Sequence, residues 1–167
     1  DLYSIKKTQG TLENLTISMV GDLKYGRTVH SLLMAMRYFN PTYHFVAPQE
    51  LRLPAQYPEY MRANNIKFDE LEDMNPVLPV SDILYMTRVQ QERFTDLVEY
   101  EKVKNTYTLR SSMLEGTKDN LRILHPLPRI NEIAADVDDN PKAYYFEQAR
   151  NGVFARQAVI CSILGMC

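Results

Sequence analysis

The chain has 167 residues, of which 45% are apolar types, so it is long enough for one domain with a sizeable hydrophobic core. Its 19 basic and 21 acidic residues give a net charge of −2, which argues against a general nucleic-acid binder, because such proteins carry a basic patch and a high pI. The longest apolar stretch, AVICSILGMC near the end, is too short to span a lipid bilayer.

Short apolar, β-rich runs alternate with helical patterns along the chain. In chain order, the predicted elements are a strand at 15–20, a helix at about 27–39, a strand at 43–47, a helix at 55–64, a weak strand at 65–68, a helix at 70–77, a strand at 82–85, helices at 97–104 and 111–118, and a strand at 121–125. The terminal stretch AYYFEQARNGVFARQAVICSILG predicts one or two further helices, and a break or cap would fall at Asn151-Gly152.

This alternation predicts an α/β fold with a doubly wound, open parallel sheet of about five strands in the order 3-2-1-4-5 and helices on both faces. Ligands of such sheets bind beyond the carboxyl ends of the strands, at the point where the strand order reverses. That point falls between the strands at 15–20 and 82–85. We therefore expect three loops to meet there, at 21–31, 86–93 and 126–132.

The last residues and the first residue suggest a fragment. Asp1 opens the chain without a methionine, and the chain stops inside an apolar helical run, so we expect a piece of a longer polypeptide.

Cys161 and Cys167 lie in one terminal segment, and two thiols without a cluster of further Cys or His residues indicate neither a disulfide framework nor a metal site. A reducing, cytoplasmic compartment fits this pattern best.

The loop GDLKYGRTVHS (21–31) carries the strongest ligand-binding signal. Gly21 and Gly26 permit tight turns, and Lys24 and Arg27 place positive charge beside the N-terminus of the next helix, which itself favours anions. The nucleotide phosphate-loop pattern is absent, because the lysine precedes the second glycine. The loop therefore predicts an anion site of another kind.

Two arginines are the best candidates for binding that anion. Arg27 and Arg88 should each stand just past a strand at the switch point, and a guanidinium grips a carboxylate with two parallel hydrogen bonds. Two such groups over one crevice suit a dicarboxylate, and Gln90 would add a neutral contact. The alternative is that both arginines only form structural ion pairs with nearby carboxylates, namely Asp22, Asp82 and Glu92.

The segment HPLPR (125–129) follows the last predicted strand. Its two prolines fix the backbone and remove two N–H donors, so its carbonyl groups are held stiffly and would accept hydrogen bonds from a ligand amide or amine. The alternative is a rigid loop without a ligand. His125 is either a general base or a buried hydrogen-bonding strut, as is more common before a proline turn. We expect a structural role for His30 and no role for His44.

An acidic group after this segment does not predict a metal site. Its spacing lacks the glycine turn and the closing glutamate of a calcium-binding loop. We expect a solvated loop and a helix cap from these residues, which are Glu132, Asp136, Asp138 and Asp139.

Four long motifs resemble those of one enzyme family. GDLKYGRTVHSL, DILYMTRVQQERF, ILHPLPRINEIAADVD and YFEQARNGVFARQA are similar to segments of aspartate carbamoyltransferase catalytic chains. The resemblance runs from about residue 12 to 164 and falls only on the second, aspartate-binding half of that family's chain. It implies a Rossmann-like domain of an enzyme that joins carbamoyl phosphate to L-aspartate, giving N-carbamoyl-aspartate and phosphate in pyrimidine biosynthesis, with no metal or organic cofactor.

The resemblance also implies residue roles. Arg27 and Arg88 match the arginines that bind the aspartate carboxylates, and Gln90 matches a further aspartate contact. Leu127 and Pro128 match the turn whose backbone contacts the carbamoyl group of carbamoyl phosphate. The family's mobile closing loop corresponds to the region that contains Glu92, Arg93 and Glu99. Catalysis in the family is mostly positioning and electrostatic stabilisation of a tetrahedral intermediate, and no certain catalytic residue falls in this half.

The departure from the family concerns its first domain. That domain carries a Ser-Thr-Arg-Thr-Arg phosphate loop, and a lysine-bearing loop arrives from a neighbouring subunit, but neither occurs in this sequence. We therefore expect half a site, inactive alone and weak in aspartate affinity. Its parts are an interdomain helix or linker at 1–14, the aspartate-binding domain at 15–150 and a helix at 151–167 that packs on the missing domain.

The family implies a homotrimer of complete chains, with or without regulatory chains. In the isolated fragment, the terminal helices would lack their usual cover, and such apolar patches favour self-association. We expect no nucleic-acid or membrane partner.

Three other functions remain open at this point. One is a non-catalytic, transcarbamoylase-like binding or scaffold module. Another is the ornithine enzyme, whose cationic substrate would want acidic partners where these loops offer Arg27 and Arg88, and which has a cysteine-containing turn where HPLP stands here. The last is a nucleotide-binding Rossmann domain, which is disfavoured because the sequence contains no GxGxxG motif.

Overall fold

A computed structural model of the chain describes residues 1–90, 94, 97–103 and 106–166. Its strands are β1 (Thr16–Val20), β2 (Thr42–Val46), β3 (Lys67–Leu71), β4 (Ile83–Met86) and β5 (Arg122–Leu124). They form one five-stranded, fully parallel sheet in the order β3-β2-β1-β4-β5. The predicted sheet and its order are confirmed, and the strand order reverses between β1 and β4.

The helices connect and cover these strands. They are α1 (Leu2–Gln9), α2 (Arg27–Met36), α3 (Gln56–Ala63), α4 (Leu97–Val103) and α5 (Tyr145–Ile163). Shorter 3₁₀ turns occur at Arg37–Phe39, Gln49–Leu51, Asn75–Val77, Ser111–Leu114 and Ala135–Val137.

The core lies on both faces of the sheet, because successive residues of a strand point to opposite faces. Ile17 and Met19 are fully buried against α1, α2 and α3 on one face. On the other face, Leu84 packs with the segments 107–114 and 133–137 and with the start of α5. The interior strands therefore read as nearly continuous apolar runs, as is typical of a parallel sheet covered on both sides.

Two of the predicted helices are wrong in length or type. The helix expected at 70–77 is mostly absent, because β3 continues to Leu71, which pairs with Val46 of β2, and only Asn75–Val77 form a 3₁₀ turn. The helix expected at 111–118 is the single turn Ser111–Leu114. It ends before Gly116, whose φ of 70° lies in the left-handed region.

The C-terminal stretch forms one helix, α5, that runs through Asn151 and Gly152 without a break. A glycine inside a helix costs only about 1 kcal/mol relative to alanine, so tertiary contacts can keep the helix continuous through Gly152. The buried Asn151 amide donates hydrogen bonds to Ser4 Oγ at 3.1 Å and to the Tyr144 hydroxyl at 3.2 Å, which ties α5 to α1. Throughout the described ranges, no helix is both long and apolar enough to cross a membrane.

Candidate functional site

A cavity of about 230 Å³ opens at the carboxyl ends of β1, β4 and β5. It lies at the switch point, and three loops line it: Tyr25, Gly26, Arg27 and Thr28 from the first, Thr87, Arg88 and Gln90 from the second, and His125, Pro126, Leu127 and Pro128 from the third. All five residues predicted to bind substrate are therefore brought together. The volume suits a ligand smaller than a typical drug molecule.

The loop after β1 approaches the loop after β4 so closely that only glycine fits at its start. Gly21 has a φ of 113°, and a Cβ there would lie 2.4 Å from the Thr87 carbonyl oxygen. The Thr87 N–H and hydroxyl both donate to the Val20 carbonyl, each at 2.9 Å. These contacts hold the first two walls of the cavity in fixed relation.

Asp22 turns the first loop back on itself. Its Oδ1 accepts the Tyr25 N–H at 2.9 Å, and its Oδ2 is buried with no hydrogen-bond partner among the described residues. Burial raises the pKa of this carboxyl above its usual range, although the Tyr25 N–H acts in the opposite direction. Asp22 therefore shapes the loop through the backbone, and the structure gives no support for Asp22 as an ion-pair partner of Arg27.

Arg27 is the first residue of α2 and is exposed at the cavity. Gly26 caps this helix, and its carbonyl accepts the N–H groups of Val29 at 2.9 Å and His30 at 3.2 Å. The first N–H groups of a helix lack intrahelical acceptors, and the helix dipole is positive at this end. The guanidinium and the helix N-terminus thus place positive charge on the same wall.

Arg88 and Gln90 form the second wall. Both are half-buried and follow β4, and both line the same cavity as Arg27. Asp82, named as an alternative partner for the arginines, lies at the opposite end of β4 and pairs with Lys118 at 2.9 Å. Two guanidinium groups around one small cavity are suited to a ligand with two carboxylates.

The third wall is the turn after β5. His125 is buried, and its Nδ1 accepts the Leu127 N–H at 2.8 Å while its Nε2 lies 2.7 Å from Glu132 Oε1. Leu127 has a φ of 50°, a left-handed conformation that costs a non-glycine residue about 1–2 kcal/mol. The hydrogen bond from its N–H helps to hold it there. The peptide bond between Leu127 and Pro128 is cis.

Glu132 is the partner that fixes the His125 ring. Its carboxylate also accepts the N–H groups of Ile130 and Asn131, at 3.1 Å each for Oε2. Burial alone would raise the pKa of Glu132, but the hydrogen bonds from His125 and from the backbone hold that pKa below its usual range. Both ring nitrogens of His125 are engaged, which favours the strut interpretation over the general base.

The other histidines and Lys24 take no part in lining the cavity. His30 Nε2 lies 2.8 Å from the Leu23 carbonyl oxygen, and its ring stacks on Tyr57. His44 lies in β2 beside Asp69. The exposed Lys24 ammonium lies 5.1 Å from the centroid of the Tyr25 ring.

Three further predictions concern the acidic group that includes Asp138, metal binding, and the residues of the family's closing loop. Asp138 contacts Arg129 and the Tyr145 hydroxyl, so it is part of a structural network. In the part of the chain that the structure describes, no group of three or more His, Cys, Asp or Glu side chains is arranged to hold a metal ion. Predictions for Glu92, Arg93 and the side chain of Glu99 lie outside the described residues.

Sequence reasoning missed three contributors to the site. Thr28 and Thr87 line the cavity, and the Gln148 side chain accepts the His125 N–H at 2.8 Å from within α5. Thr28 follows Arg27 and Thr87 precedes Arg88, so each threonine could have been identified from its position next to a residue predicted to bind the ligand. No local pattern links Gln148 to a turn so distant in sequence.

Comparisons with known proteins agree with this geometry. Residues 13–163 match the family model described as "Aspartate/ornithine carbamoyltransferase, Asp/Orn binding domain". The chain is 69% identical, over 167 residues, to the aspartate carbamoyltransferase catalytic subunit of Bacteroides fragilis, covering 99% of this chain and 54% of that protein. It is 52% identical to catalytic subunit 2 of Shewanella halifaxensis, covering 98% of this chain and 53% of that protein. The chain thus spans about half the length of the curated relatives it matches.

Solved structures are similar over the same half. The catalytic subunit of M. jannaschii aspartate transcarbamoylase superposes with a TM-score of 0.92 at 46% identity, covering 100% of this chain and 56% of that one. Aspartate transcarbamoylase from Trypanosoma cruzi, in complex with carbamoyl phosphate and aspartate, gives a TM-score of 0.89 at 33% identity, covering 96% of this chain and 53% of that one.

Proposed function

Because the chain belongs to the aspartate/ornithine carbamoyltransferase family, we propose that it is the aspartate-binding half of an aspartate carbamoyltransferase. Such an enzyme transfers the carbamoyl group of carbamoyl phosphate to the amino group of L-aspartate, an early step of pyrimidine biosynthesis. The observation that carries the proposal is the convergence of Arg27 and Arg88 on one small cavity at the switch point. The relatives at 69% and 52% identity are aspartate carbamoyltransferase catalytic subunits, which supports the same choice.

Aspartate rather than ornithine is the substrate that the charges favour. The two arginines would each hold one carboxylate of aspartate, and Gln90 would add a neutral contact that fixes its orientation. The side chain of ornithine carries an ammonium group, which the guanidinium groups of Arg27 and Arg88 would repel. The family model includes aspartate-binding and ornithine-binding domains, and the charges of Arg27 and Arg88 favour aspartate over ornithine.

In the proposed reaction, the aspartate amine attacks the carbamoyl carbon, and a C–N bond forms through a tetrahedral intermediate. The C–O bond to phosphate then breaks, phosphate leaves with the bonding electron pair, and the proton lost by the amine is taken up by the departing phosphate. The stiff backbone of Leu127 and Pro128 would hold the carbamoyl group for this attack. The contribution of this half is therefore the orientation of two substrates, which alone accounts for a large part of many enzymatic rate enhancements.

We propose that a carbamoyl-phosphate-binding half completes the site. A second cavity of about 310 Å³, lined by Thr28, His125, Gln148, Gly152 and Arg156 among others, adjoins the first and leads onto α5. The exposed apolar side chains of α5 would pack against that other half. This assigns residues 1–14 to an interdomain helix, 15–150 to the substrate domain and 151–167 to the docking helix. We propose further that complete chains form a cytoplasmic homotrimer, with or without regulatory chains, as the resemblance to the family implies.

The proposal is tested by restoring the other half. The chain is co-expressed or fused with the N-terminal half of the Bacteroides fragilis catalytic subunit, and product formation is measured with aspartate and with ornithine. We expect carbamoyl-aspartate from the combination, no turnover by the chain alone, and no product from ornithine. A folded combination that is inactive with aspartate would contradict the proposal and would favour a non-catalytic scaffold module. A preference for ornithine would move the chain to the other branch of the family.

A further inference from the structure

His125 is held at three points where β5 meets the cavity. Its backbone N–H donates to Gln148 Oε1 of α5 at 2.8 Å, its Nδ1 accepts from Leu127, and its Nε2 contacts Glu132. Only 1% of its surface is exposed. A histidine fixed in this way beside a substrate turn has a more specific task than filling space.

The hydrogen bonds determine where the ring proton lies. A backbone N–H is only a donor, so the Nδ1 that faces Leu127 at 2.8 Å must carry a lone pair. The proton of the neutral ring is then on Nε2 and points at Glu132 Oε1, 2.7 Å away. Both lone-pair and proton positions are used within the protein, so neither nitrogen is available to take a proton from a substrate amine.

The bond to Leu127 also sets the direction of a carbonyl group. The Leu127 N–H and the Pro126 C=O belong to one planar trans peptide unit, in which the two groups point in opposite directions. Because the N–H points at the buried ring, the Pro126 carbonyl points away from it. Pro126 and Leu127 both line the cavity.

We propose that His125 is a positioning residue: its Nδ1 fixes the orientation of the Pro126–Leu127 peptide unit, in the turn to which the proposed function assigns the carbamoyl group. This role rests on the proposed function. Glu132 contacts the turn through His125 and through the N–H groups of Ile130 and Asn131. The two hydrogen bonds of the ring have different purposes, and two isosteric substitutions separate them.

His125→Asn keeps the bond to the turn. Asparagine Oδ1 stands near the place of Nδ1 and accepts the N–H two residues later, as in an Asx turn, and Asn-Pro sequences favour this arrangement. His125→Gln keeps the other bond, because the longer amide reaches Glu132 but offers no acceptor at the Nδ1 position. Each variant thus removes one of the two ring hydrogen bonds.

The variants are assayed in the combined protein described above. We expect His125→Asn to retain kcat within about tenfold of the unsubstituted protein, and His125→Gln to lose kcat roughly 100-fold, the effect of misplacing a positioned group. In His125→Gln the KM for carbamoyl phosphate rises, while the KM for aspartate stays unchanged in both variants because Arg27 and Arg88 are untouched. Thermal unfolding of each variant shows whether it is folded.

Equal and complete loss of kcat in both variants would overturn the proposal, since neither side chain is a base. The proposal would also be overturned if kcat correlated with the melting temperature of each variant and not with retention of the hydrogen bond to the Leu127 N–H. A measurement without substitution covers variants that do not fold: ¹⁵N NMR of the ring should show an unprotonated Nδ1 and a protonated Nε2, and the opposite tautomer would refute the role. An unsubstituted combination that does not turn over would instead contradict the proposed function, and the positioning role with it.

Discussion

At the scale of single residues, the cavity is lined by side chains that arrive from different strands. Arg27 comes from the helix after β1 and Arg88 from the loop after β4, and both are placed by short connections at the switch point. The bonds from the Thr87 N–H and hydroxyl to the Val20 carbonyl set the distance between these connections, and the Asp22 carboxylate shapes the first of them through the Tyr25 N–H. The proposed substrate binding therefore depends on a few loop positions with little conformational freedom.

Arg88→Ala should weaken aspartate use specifically. Hydrogen bonds to charged groups contribute about 1.5–3 kcal/mol each, so we expect the KM for aspartate in the combined protein to rise roughly 10- to 100-fold or beyond measurable saturation. The KM for carbamoyl phosphate should change little. Arg110→Ala, which removes an exposed arginine that does not line the cavity, is the matched control. Full activity of Arg88→Ala at low aspartate would refute the assignment of Arg88.

Gly21→Ala should destabilise the fold more than a comparable substitution at another left-handed glycine. A Cβ at Gly21 would lie 2.4 Å from the Thr87 carbonyl oxygen, whereas a Cβ at Gly116 meets nothing within 4 Å. Both substitutions carry the backbone cost of a positive φ, which is larger at 113° for Gly21 than at 70° for Gly116, so backbone strain and the steric clash both make Gly21→Ala the more costly. Urea unfolding should show Gly21→Ala to be less stable than Gly116→Ala by about 1–3 kcal/mol. Equal losses would mean that the two loops separate without cost.

At the scale of elements, a single carboxylate joins the amino ends of the central strands. Asp82 Oδ2 accepts the Thr16 N–H of β1 at 2.8 Å, and its Oδ1 accepts from Lys118 Nζ and Asn120 Nδ2, both at 2.9 Å. Burial alone would raise the pKa of Asp82, but these donors outweigh burial and hold the pKa below its usual value. The carboxylate thus ties β1 and β4 to the segment that leads into β5.

Asp82→Asn should remove a stabilisation that depends on pH. Because the folded pKa lies below the unfolded one, the contribution is complete above the ordinary pKa of about 4 and is lost as the pH falls through the lowered value. We expect the variant to be less stable at pH 7 by about 1.5–3 kcal/mol, from the loss of charged hydrogen bonds, and the gap to narrow below pH about 4. Asp119→Asn, at an exposed carboxylate nearby, should leave urea unfolding unchanged. A gap independent of pH would contradict the electrostatic account.

At the scale of the whole molecule, α5 presents an apolar surface that this chain does not cover. Its exposed large side chains range from 50% to 79% exposed and include Phe146, Val153, Phe154, Val159, Ile160 and Ile163. Exposed apolar patches of this kind mark docking surfaces. The proposed occupant is the carbamoyl-phosphate-binding half, and this chain covers only 54% of the length of the Bacteroides fragilis relative.

The same surface should make the isolated chain self-associate. We expect sedimentation velocity to show dimers or larger species at micromolar concentration, and the double substitution Ile160→Lys, Ile163→Lys to shift the chain toward the monomer. Both side chains are more than half exposed, so the fold should keep its stability. Val80→Lys, at an exposed apolar residue outside α5, is the control and should not change association. A monomeric unsubstituted chain would contradict the prediction.

Much of this architecture follows from local patterns. The alternation of apolar runs and helical segments determined the parallel sheet, its strand order and the three loops at the switch point, since burial on both faces imposes continuous apolar strands. The charges of Arg27 and Arg88 predict a dicarboxylate ligand, and both residues line the same cavity. A local sequence pattern is sufficient to predict a helix or strand wherever the periodicity of that segment alone determines its secondary structure.

The tertiary structure alone decided what depends on a distant partner. Pairing with β2 extended β3 over the start of the predicted helix at 70–77, and the contact of Asn151 with Ser4 kept α5 continuous. Contacts with the Leu127 N–H and with Glu132 engage both ring nitrogens of His125, and Gln148 of α5 accepts its backbone N–H. Sequence periodicity indicates which side chains are buried but not which residues they contact. Those contacts determine the position of the proton on the His125 ring and the direction of the Pro126 carbonyl group.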